Sequence, residues 1–223
     1  MIRTPDGWRA VCVDITGGFI PGGDKAKTYD SGMELFHRYI RPHIPFDKGA
    51  LVVDVGCGNG RLAMALADLS IEYIGIDIVA ESISFCRQAF DGYENFRFAH
   101  MDVRNGHYNP AGKFKLDEVA FPVPSGCVDV VLCSSLFTHI APLIFAEYYV
   151  QEIKRLLRPQ GWLYTTWFRS PPNEPASDEA RTVYREHDII DMLRGFVWRH
   201  SEGGLTTGRI DQWRIVCQKL YLP

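Results

Sequence analysis

The sequence has no long hydrophobic run, no excess of charge of one sign and no apolar leader. No apolar stretch approaches the roughly 20 residues that a membrane span requires. The N-terminus carries Arg3, Asp6 and Arg9 where a signal peptide would be apolar. The formal net charge is −3, which offers no basic footprint for nucleic acid or for an anionic membrane. These absences predict a soluble, cytoplasmic protein with neither a nucleic acid nor a membrane as partner.

The cysteines form no C-x-x-C pair, and no histidine stands at zinc-ligand spacing from them. The six residues are Cys12, Cys57, Cys86, Cys127, Cys133 and Cys217. Most of them lie inside apolar runs, where a thiol packs as a small hydrophobic group. We therefore expect reduced thiols, as in cytosolic proteins, and no disulfide framework.

The sequence does have a regular alternation of strand and helix patterns. Continuous apolar runs predict strands at 50–55, 73–78, 96–101, 128–133 and 162–168, and helical spacing predicts helices at 33–40, 61–69, 81–90, 142–157 and 187–193. Such alternation predicts an α/β fold with a parallel, doubly wound sheet. Two closing strands at 196–200 and 213–217 have no helix between them, so we expect them to pair as an antiparallel hairpin.

Three segments interrupt this pattern. Residues 1–31 are rich in glycine and proline, with one alternating run at 11–15, and we predict an N-terminal extension or lid ahead of a main domain at 32–223. Residues 104–126 form a connection longer than the usual loop. Residues 169–186, which contain several prolines, are predicted to form a second loop.

The strongest motif is D-V-G-C-G-N-G at residues 54–60, where the first buried strand meets the first helix. Ligands of parallel sheets bind at the carboxyl ends of the strands, and glycine lets the backbone approach them. Asp77 follows Gly56 by 21 residues, at the place where a carboxylate accepts hydrogen bonds from ribose. The G-x-G-x-G spacing, followed by Arg61, differs from the G-x-G-x-x-G of dinucleotide sites. Asp54 beside the loop favours a cationic ligand over a pyrophosphate.

This loop resembles motif I of the class I S-adenosylmethionine-dependent methyltransferases, an acidic residue followed by G-C-G-x-G. Four further segments resemble that family's motifs in the same order: Y-I-G-I-D-I at 73–78, H-M-D-V at 100–103, F-P-V-P-S-G-C-V-D-V-V-L at 121–132 and L-L-R-P-Q-G-W-L at 156–163. The resemblance covers most of residues 30–217. It implies a Rossmann-like seven-stranded sheet of order 3-2-1-4-5-7-6 with strand 7 antiparallel. It also implies S-adenosyl-L-methionine as cofactor and S-adenosyl-L-homocysteine as product.

The resemblance assigns residues to this cofactor. Asp77 would accept hydrogen bonds from the ribose, Asp102 would accept one from the adenine amino group, and Val103 would pack against the ring. Asp54 would organise the loop and meet the ammonium side of the cofactor. For Asp77 and Asp102 the alternative is a cap of a helix or turn. The full predicted set is Asp54, Gly56, Cys57, Gly58, Gly60, Asp77, Ile78, Asp102, Val103 and Ser134.

The acceptor side is predicted from the segment after the fourth strand. His139 lies where the methyl group would emerge, and a hydroxyl acceptor needs a nearby base. A purely structural histidine is the alternative reading, and His187 and Asp188 are weaker candidates. Tyr29, Phe137 and Trp167 would line the acceptor pocket, although aromatic residues of this kind are more often part of the core.

The absence of several family motifs argues against some classes of methyl acceptor and of mechanism. The fourth strand ends in Cys133-Ser134-Ser135, without the N-P-P-Y or D-P-P-Y of enzymes that methylate amino groups of nucleic acids. Cys133 also lacks the preceding proline of cysteine-dependent base methyltransferases, and no acidic cluster indicates a metal. We therefore predict a metal-independent methyltransferase acting on a small molecule, first of all on a hydroxyl oxygen of a sugar or other metabolite. N- or C-methylation and a non-catalytic binding subunit stay open, as do monomer and homodimer.

Overall fold

The apolar runs of the sequence form a seven-stranded sheet. In the computed structural model its strands are β1 (Leu51–Val55), β2 (Glu72–Asp77), β3 (Phe96–His100), β4 (Val128–Cys133), β5 (Leu157–Phe168), β6 (Phe196–Glu202) and β7 (Gln212–Lys219). Their order is 3-2-1-4-5-7-6. Strands β1 to β5 are parallel, whereas β7 is antiparallel to β5 and to β6. This confirms the predicted Rossmann-like sheet and its closing hairpin.

The structure describes residues 25–118, 120–169, 177–178, 181–203, 205–206, 209–210 and 212–221. The helices are α1 (Lys25–Glu34), which continues as a π-helical segment Leu35–Ile40, then α2 (Arg61–Leu66), α3 (Ala80–Ala89), α4 (Leu143–Leu156) and α5 (Glu186–Met192). Two 3-10 turns, Leu116–Glu118 and Phe137–His139, follow β3 and β4. Two-residue strands pair Ser177–Asp178 with Arg181–Thr182, and Leu205–Thr206 with Arg209–Ile210.

The boundary predicted at residue 31 falls within a helix. Helix α1 begins at Lys25 and crosses the predicted domain boundary at residue 31. The helix packs against α2, because Gly32 has no side chain and a Cβ there would collide with the carbonyl group of Arg61. The predicted strand at 11–15 lies outside the described residues, so the lid at 1–31 stays a prediction.

The core lies on both faces of the sheet. Along β1, Val52 packs on one face together with Phe36 of the π-helical segment after α1, Leu62 of α2 and Ile83 of α3. Val53 packs on the opposite face, in a cluster with residues of α4 and Trp167 of β5. Because both faces are covered, the strand is apolar at successive positions, and this explains the continuous runs in the sequence.

Several absences apply to the described part of the chain. No helix there combines the length and the apolar character needed to cross a membrane. Nor do those same ranges contain a cluster of three or more histidine, cysteine, aspartate or glutamate side chains suited to a metal ion. The five cysteines within them, from Cys57 to Cys217, carry free thiols.

An arginine–glutamate pair on α4 fixes the segment that leads into β4. The guanidinium of Arg155 donates two hydrogen bonds of 2.8 Å to the carboxylate of Glu152. It also donates to the carbonyl oxygens of Val123 (2.9 Å) and Phe121 (3.1 Å). Glu152 in turn accepts the backbone N–H of Phe121 at 3.0 Å. Since Phe121 lines the central cavity, this network fixes one wall of the site.

Replacing Arg155 by methionine should destabilise the protein by about 2–3 kcal/mol, because the carboxylate of Glu152 is 9% exposed and would lose its partner. The matched control is Arg194→Met. Arg194 forms an exposed pair of 2.8 Å with Asp191, and its loss should cost less than about 0.5 kcal/mol. Urea denaturation measures both, and equal losses would contradict the role given to Arg155.

Candidate active site

A cavity of about 540 Å³ opens at the carboxyl edge of strands β1 to β4. Parallel strands bring their carboxyl ends to one edge, so residues far apart in the sequence meet there. Eight of the residues predicted for the site line this cavity: Gly56, Cys57, Gly58, Asp77, Ile78, Val103, Ser134 and His139.

The glycine loop forms the floor of the cavity. Gly56 and Gly58 have φ angles of 77° and 51°, in the left-handed region that favours glycine. No atom lies within 4 Å of the position where a Cβ on Gly58 would be, so the backbone there faces open space. Gly60 instead ends the loop at the start of α2 and packs against Cys86 and Phe90, away from the cavity. The loop therefore presents its first two glycines to a ligand.

Asp77 connects the loop to the end of β2. One carboxylate oxygen accepts the N–H of Gly58 at 2.7 Å, and the other accepts the N–H of Val79 at 2.9 Å. Burial raises the pKa of this carboxyl, whereas the two backbone donors act in the opposite direction. Each carboxylate oxygen has a second lone pair, so Asp77 can still accept hydrogen bonds from a ligand in the cavity.

Asp54 lies beneath the loop and is 2% exposed. The hydroxyl of Tyr73 donates a hydrogen bond of 2.8 Å to its carboxylate. Burial raises the pKa of Asp54 to about 7, although Tyr73 and the charge of Arg61 both lower it. Asp54 is not in the cavity wall. Its position fits the predicted role of organising the loop, and its contact with the cofactor ammonium stays a prediction.

Asp102 and Val103 follow β3 and face different ways. The carboxylate of Asp102 accepts a hydrogen bond of 3.2 Å from the amide of Asn109 and lies 3.6 Å from the ammonium of Lys113. The Asn109 bond lowers the pKa of this carboxyl. Val103 lines the cavity, whereas Asp102 does not. The role of Asp102 toward adenine therefore stays a prediction, and its observed partners fit the alternative reading of a turn residue.

His139 and Tyr108 meet in the wall of the cavity. His139 ends the 3-10 turn after β4, and the hydroxyl of Tyr108 lies 3.4 Å from its Nδ1 and 3.3 Å from its Nε2. Asn105 holds the loop that carries Tyr108, because its side-chain oxygen accepts the N–H groups of His107 (3.0 Å) and Tyr108 (2.8 Å). Burial and the charge of Asp77 raise the pKa of Tyr108, so its hydroxyl is protonated at neutral pH.

The three aromatic residues predicted for the acceptor pocket lie elsewhere or outside the described part. Phe137 and Trp167 are fully buried and stack on each other, with centroids 3.9 Å apart at 12°. Neither lines the cavity, because both rings point into the core on the α4 face of the sheet, where Tyr184 packs edge-on against Trp167. The side chain of Tyr29 lies outside the described residues. The weaker candidates His187 and Asp188 pair with each other at 3.2 Å away from this cavity.

Sequence reasoning missed the network at the end of β4. The Nη2 of Arg61 donates to the hydroxyls of Ser134 (2.8 Å) and Ser135 (3.2 Å). Ser135 has a φ of 58°, which is rare for a residue with a side chain. The backbone N–H of Ser135 donates to the hydroxyl of Thr166 at 2.7 Å, and its own hydroxyl accepts from Gln212 at 3.0 Å. The sequence offered one signal, the position of Arg61 directly after the last glycine.

Comparison with known families decides the class of this site. A family model described as a methyltransferase domain matches residues 46–191, a range that includes the glycine loop, Asp77 and His139. The chain belongs to the S-adenosylmethionine-dependent methyltransferases. The match confirms the family that the five motifs resemble.

Individual methyltransferases agree with this membership. The mitochondrial ubiquinone biosynthesis O-methyltransferase of mouse (Mus musculus) is 31% identical over 120 residues, which are 53% of this chain and 28% of the mouse protein. An S-adenosylmethionine-dependent methyltransferase from Aquifex aeolicus has a TM-score of 0.57 at 16% identity, covering 88% of this chain and 99% of the other. Geranyl diphosphate C-methyltransferase from Streptomyces coelicolor was solved with Mg²⁺, geranyl-S-thiolodiphosphate and S-adenosyl-L-homocysteine. It has a TM-score of 0.60 at 12% identity, and the match covers 90% of this chain and 83% of the other. The chain thus spans little more than a quarter of the mouse protein, and the two structures show the fold.

The residues present fit the methyltransferase cofactor, S-adenosylmethionine. Gly58 exposes its backbone to the cavity, and Asp77 offers acceptor oxygens next to it. Ile78, Met101 and Val103 supply apolar surface near Asp77, which suits an adenine ring. On the β4 side, Ser134 supplies a hydroxyl.

The pKa of Asp54 predicts a pH-dependent stability. Since the carboxyl holds its proton up to about pH 7 in the folded protein and to its ordinary value of 3.8 when unfolded, the folded state binds more protons between those values. The free energy of unfolding contributed by this group therefore falls as the pH rises from about 4 to 7, by up to roughly 4 kcal/mol. Denaturation of Asp54→Asn should lack this fall, whereas Asn in place of the exposed Asp91 should retain it. An unchanged slope in Asp54→Asn would show that this carboxyl ionises normally.

Proposed function

We propose that the chain transfers the methyl group of S-adenosylmethionine to a hydroxyl oxygen of a small molecule, such as a sugar or other hydroxylated metabolite. One observation carries this proposal. The imidazole of His139 lies in the same cavity as the glycine loop and Asp77, next to the hydroxyl of Tyr108. A base and a hydrogen-bond donor thus stand together at the carboxyl edge of the sheet.

When bound, S-adenosylmethionine supplies a methyl group already activated on a sulfonium sulfur. The protein's part is to bind, to align and to take a proton. Asp77 and Gly58 would hold the ribose side near β2, and this directs the amino-acid side toward β4. The acceptor would then lie between the loop and His139, where alignment with the transferred group contributes much of the rate.

His139 would remove the proton from the acceptor hydroxyl. His139 would accept the hydroxyl proton at a ring nitrogen as the acceptor oxygen takes the methyl group. The bond between the methyl carbon and the sulfonium sulfur would break at the same time, S-adenosyl-L-homocysteine would be the leaving product, and the proton would pass later from His139 to solvent. A positioned base of this kind contributes about 10²–10⁴-fold. Tyr108 keeps its proton at neutral pH, so it can donate a hydrogen bond to the ring or to the acceptor. Asn105 supports this pair, because it binds both the turn of Tyr108 and the carbonyl oxygen of His139 (3.4 Å).

The volume of the cavity and the net charge of the chain support a small molecule as the methyl acceptor. The volume of about 540 Å³ is of the size that holds a cofactor and a metabolite, not a polymer. The net charge of −3 supplies no basic surface for nucleic acid. The printed name of the mouse relative, an O-methyltransferase of ubiquinone biosynthesis, is consistent with oxygen as the methylated atom. A cytoplasmic location and a monomer or homodimer complete the proposal.

Asp77→Ala should weaken the binding of S-adenosyl-L-homocysteine at least tenfold, because a charged hydrogen-bond acceptor in a buried position is lost. Isothermal titration calorimetry measures the affinity. Glu72→Ala at the opposite end of β2, where Glu72 pairs with Arg97 on the surface at 2.8 Å, should leave it unchanged. If Asp77→Ala binds S-adenosyl-L-homocysteine with unaltered affinity, Asp77 does not bind the cofactor.

His139→Ala should lower kcat about 100-fold while the affinity for S-adenosyl-L-homocysteine stays within twofold. His187→Ala is the matched control, since this histidine is exposed and outside the cavity. Release of S-adenosyl-L-homocysteine measures turnover on a panel of sugars, phenols, amines and carbon nucleophiles, and mass spectrometry locates the methyl group. If His139→Ala leaves the rate unchanged, His139 is not the catalytic base. If the methyl group is found on nitrogen or carbon, the enzyme is an N- or C-methyltransferase and not an O-methyltransferase. If the chain binds the cofactor but turns over no acceptor, the result favours a non-catalytic binding subunit.

A further inference from the structure

The guanidinium of Arg61 is a positive charge in the cavity wall without an acidic partner. Among the described residues it makes no ion pair, and its hydrogen bonds go to two neutral hydroxyls, those of Ser134 and Ser135. These bonds use Nη2 alone, so the donors on Nε and Nη1 have no protein partner in the described part of the chain. A partly buried charge of this kind is normally paired. The wall therefore has a place for a ligand anion.

The acidic side chains nearby are engaged elsewhere. Asp54 accepts the Tyr73 hydroxyl beneath the loop and holds its proton up to about pH 7. Asp77 accepts two backbone N–H groups at the end of β2. Neither carboxylate is hydrogen-bonded to Arg61. Burial lowers the pKa of the guanidinium, and this effect exceeds the opposite effect of the nearby charge of Asp54. The charge of Arg61 is therefore poorly compensated until a ligand binds.

The position of Arg61 indicates which part of the ligand it meets. The side chain reaches from the start of α2 to the end of β4, whereas Asp77 stands at the end of β2. The sheet order places β1 between β2 and β4, so the two ends are two strand spacings apart, about 10 Å. If Asp77 holds the ribose, the chain of C5′, sulfur and two methylene carbons carries the amino-acid group of the cofactor across this distance.

We propose that Arg61 binds the carboxylate of the cofactor's amino-acid end, and that Ser134 and Ser135 position its guanidinium. The proposal rests on the proposed function, and it adds a binding residue that the sequence motifs do not name. The bond is charge-assisted, in a wall shielded from solvent, and such bonds are stronger than neutral ones. It also neutralises the arginine, so that the sulfonium does not face an unpaired positive charge.

Positions on the loop explain why an arginine fits here. Gly60 has a φ of 75° and starts α2, which turns the next side chain back over the loop toward β4. Gly32 leaves room for α1 directly against the backbone of Arg61, and Ser31 on α1 lines the same cavity. The backbone of Arg61 thus packs against α1, while its guanidinium reaches the end of β4.

Calorimetry with two ligands tests the proposal without an acceptor. The ligands are S-adenosyl-L-homocysteine and its decarboxylated analogue, which retains the amine and the adenosine. In Arg61→Met the affinity for S-adenosyl-L-homocysteine should fall at least tenfold, whereas the affinity for the analogue should change less than twofold. Arg61→Lys, which keeps the charge, should recover part of the loss. Arg104→Met is the control, because Arg104 lines the β3 side of the cavity and should not distinguish the ligands.

The affinities of Arg61→Met for the two ligands distinguish a carboxylate-binding role from the other roles of Arg61. An equal loss for both ligands in Arg61→Met would overturn the proposal and make Arg61 a support of the cavity shape. No loss for either ligand would also overturn it and leave the guanidinium to the acceptor. Retained binding of the decarboxylated analogue shows that the variant is folded. If the unmodified chain binds S-adenosyl-L-homocysteine but methylates no hydroxyl compound, O-methylation fails while the result on Arg61 stands.

Discussion

The hydrogen bond from the backbone of Gly58 to the carboxylate of Asp77 is the interaction on which the site depends. It ties the loop after β1 to the end of β2, and the second oxygen of the same carboxylate ties the start of α3. A buried carboxylate without such donors would be costly. The two donors favour the ionised form of Asp77, while its burial disfavours that form. The remaining lone pairs of the carboxylate are then available to a ligand in the cavity.

Three ionisable groups share this edge of the sheet, and each is stabilised by different partners. Asp77 relies on backbone N–H groups, Asp54 on the hydroxyl of Tyr73, and Arg61 on two serine hydroxyls. Burial opposes the charged form of all three. Arg61 and Asp77 line the cavity and Asp54 lies beneath its loop, and perturbed ionisable groups gathered at a cavity are characteristic of functional sites. The arrangement sets an acceptor of hydrogen bonds near β2 and a positive charge near β4, which matches the polarity of a ligand with a ribose at one end and an acid at the other.

Much of the fold could be predicted because its signals are local. Buried parallel strands must be apolar on both faces, so runs such as Val130–Cys133 mark them, and the glycine loop is marked by its backbone requirements. The face of the sheet on which each aromatic side chain lies could not be predicted in the same way. Trp167 lies in a strand that is buried on both sides, so alternation does not tell which face it takes. Phe137 stacks on it through a contact between residues 30 positions apart. The contacts of Arg61 and Tyr108 were missed for the same reason, since their partners lie far away in the sequence.

The two halves of the cavity differ in how they are built, and this explains what the sequence could and could not indicate. The cofactor half consists of strand ends and a glycine loop, whose geometry the sheet fixes. The half proposed for the acceptor consists of Tyr108 on an irregular loop and His139 in a short 3-10 turn. Loops tolerate change where strand ends do not, so an unchanged cofactor site can serve different acceptors. The loop residue Asn105 holds this second half together, because it accepts the N–H of Tyr108 and donates to the carbonyl oxygen of His139. Under the proposed function, the choice of acceptor would depend on this hydrogen-bonded turn, whereas the cofactor half depends on the geometry of the sheet.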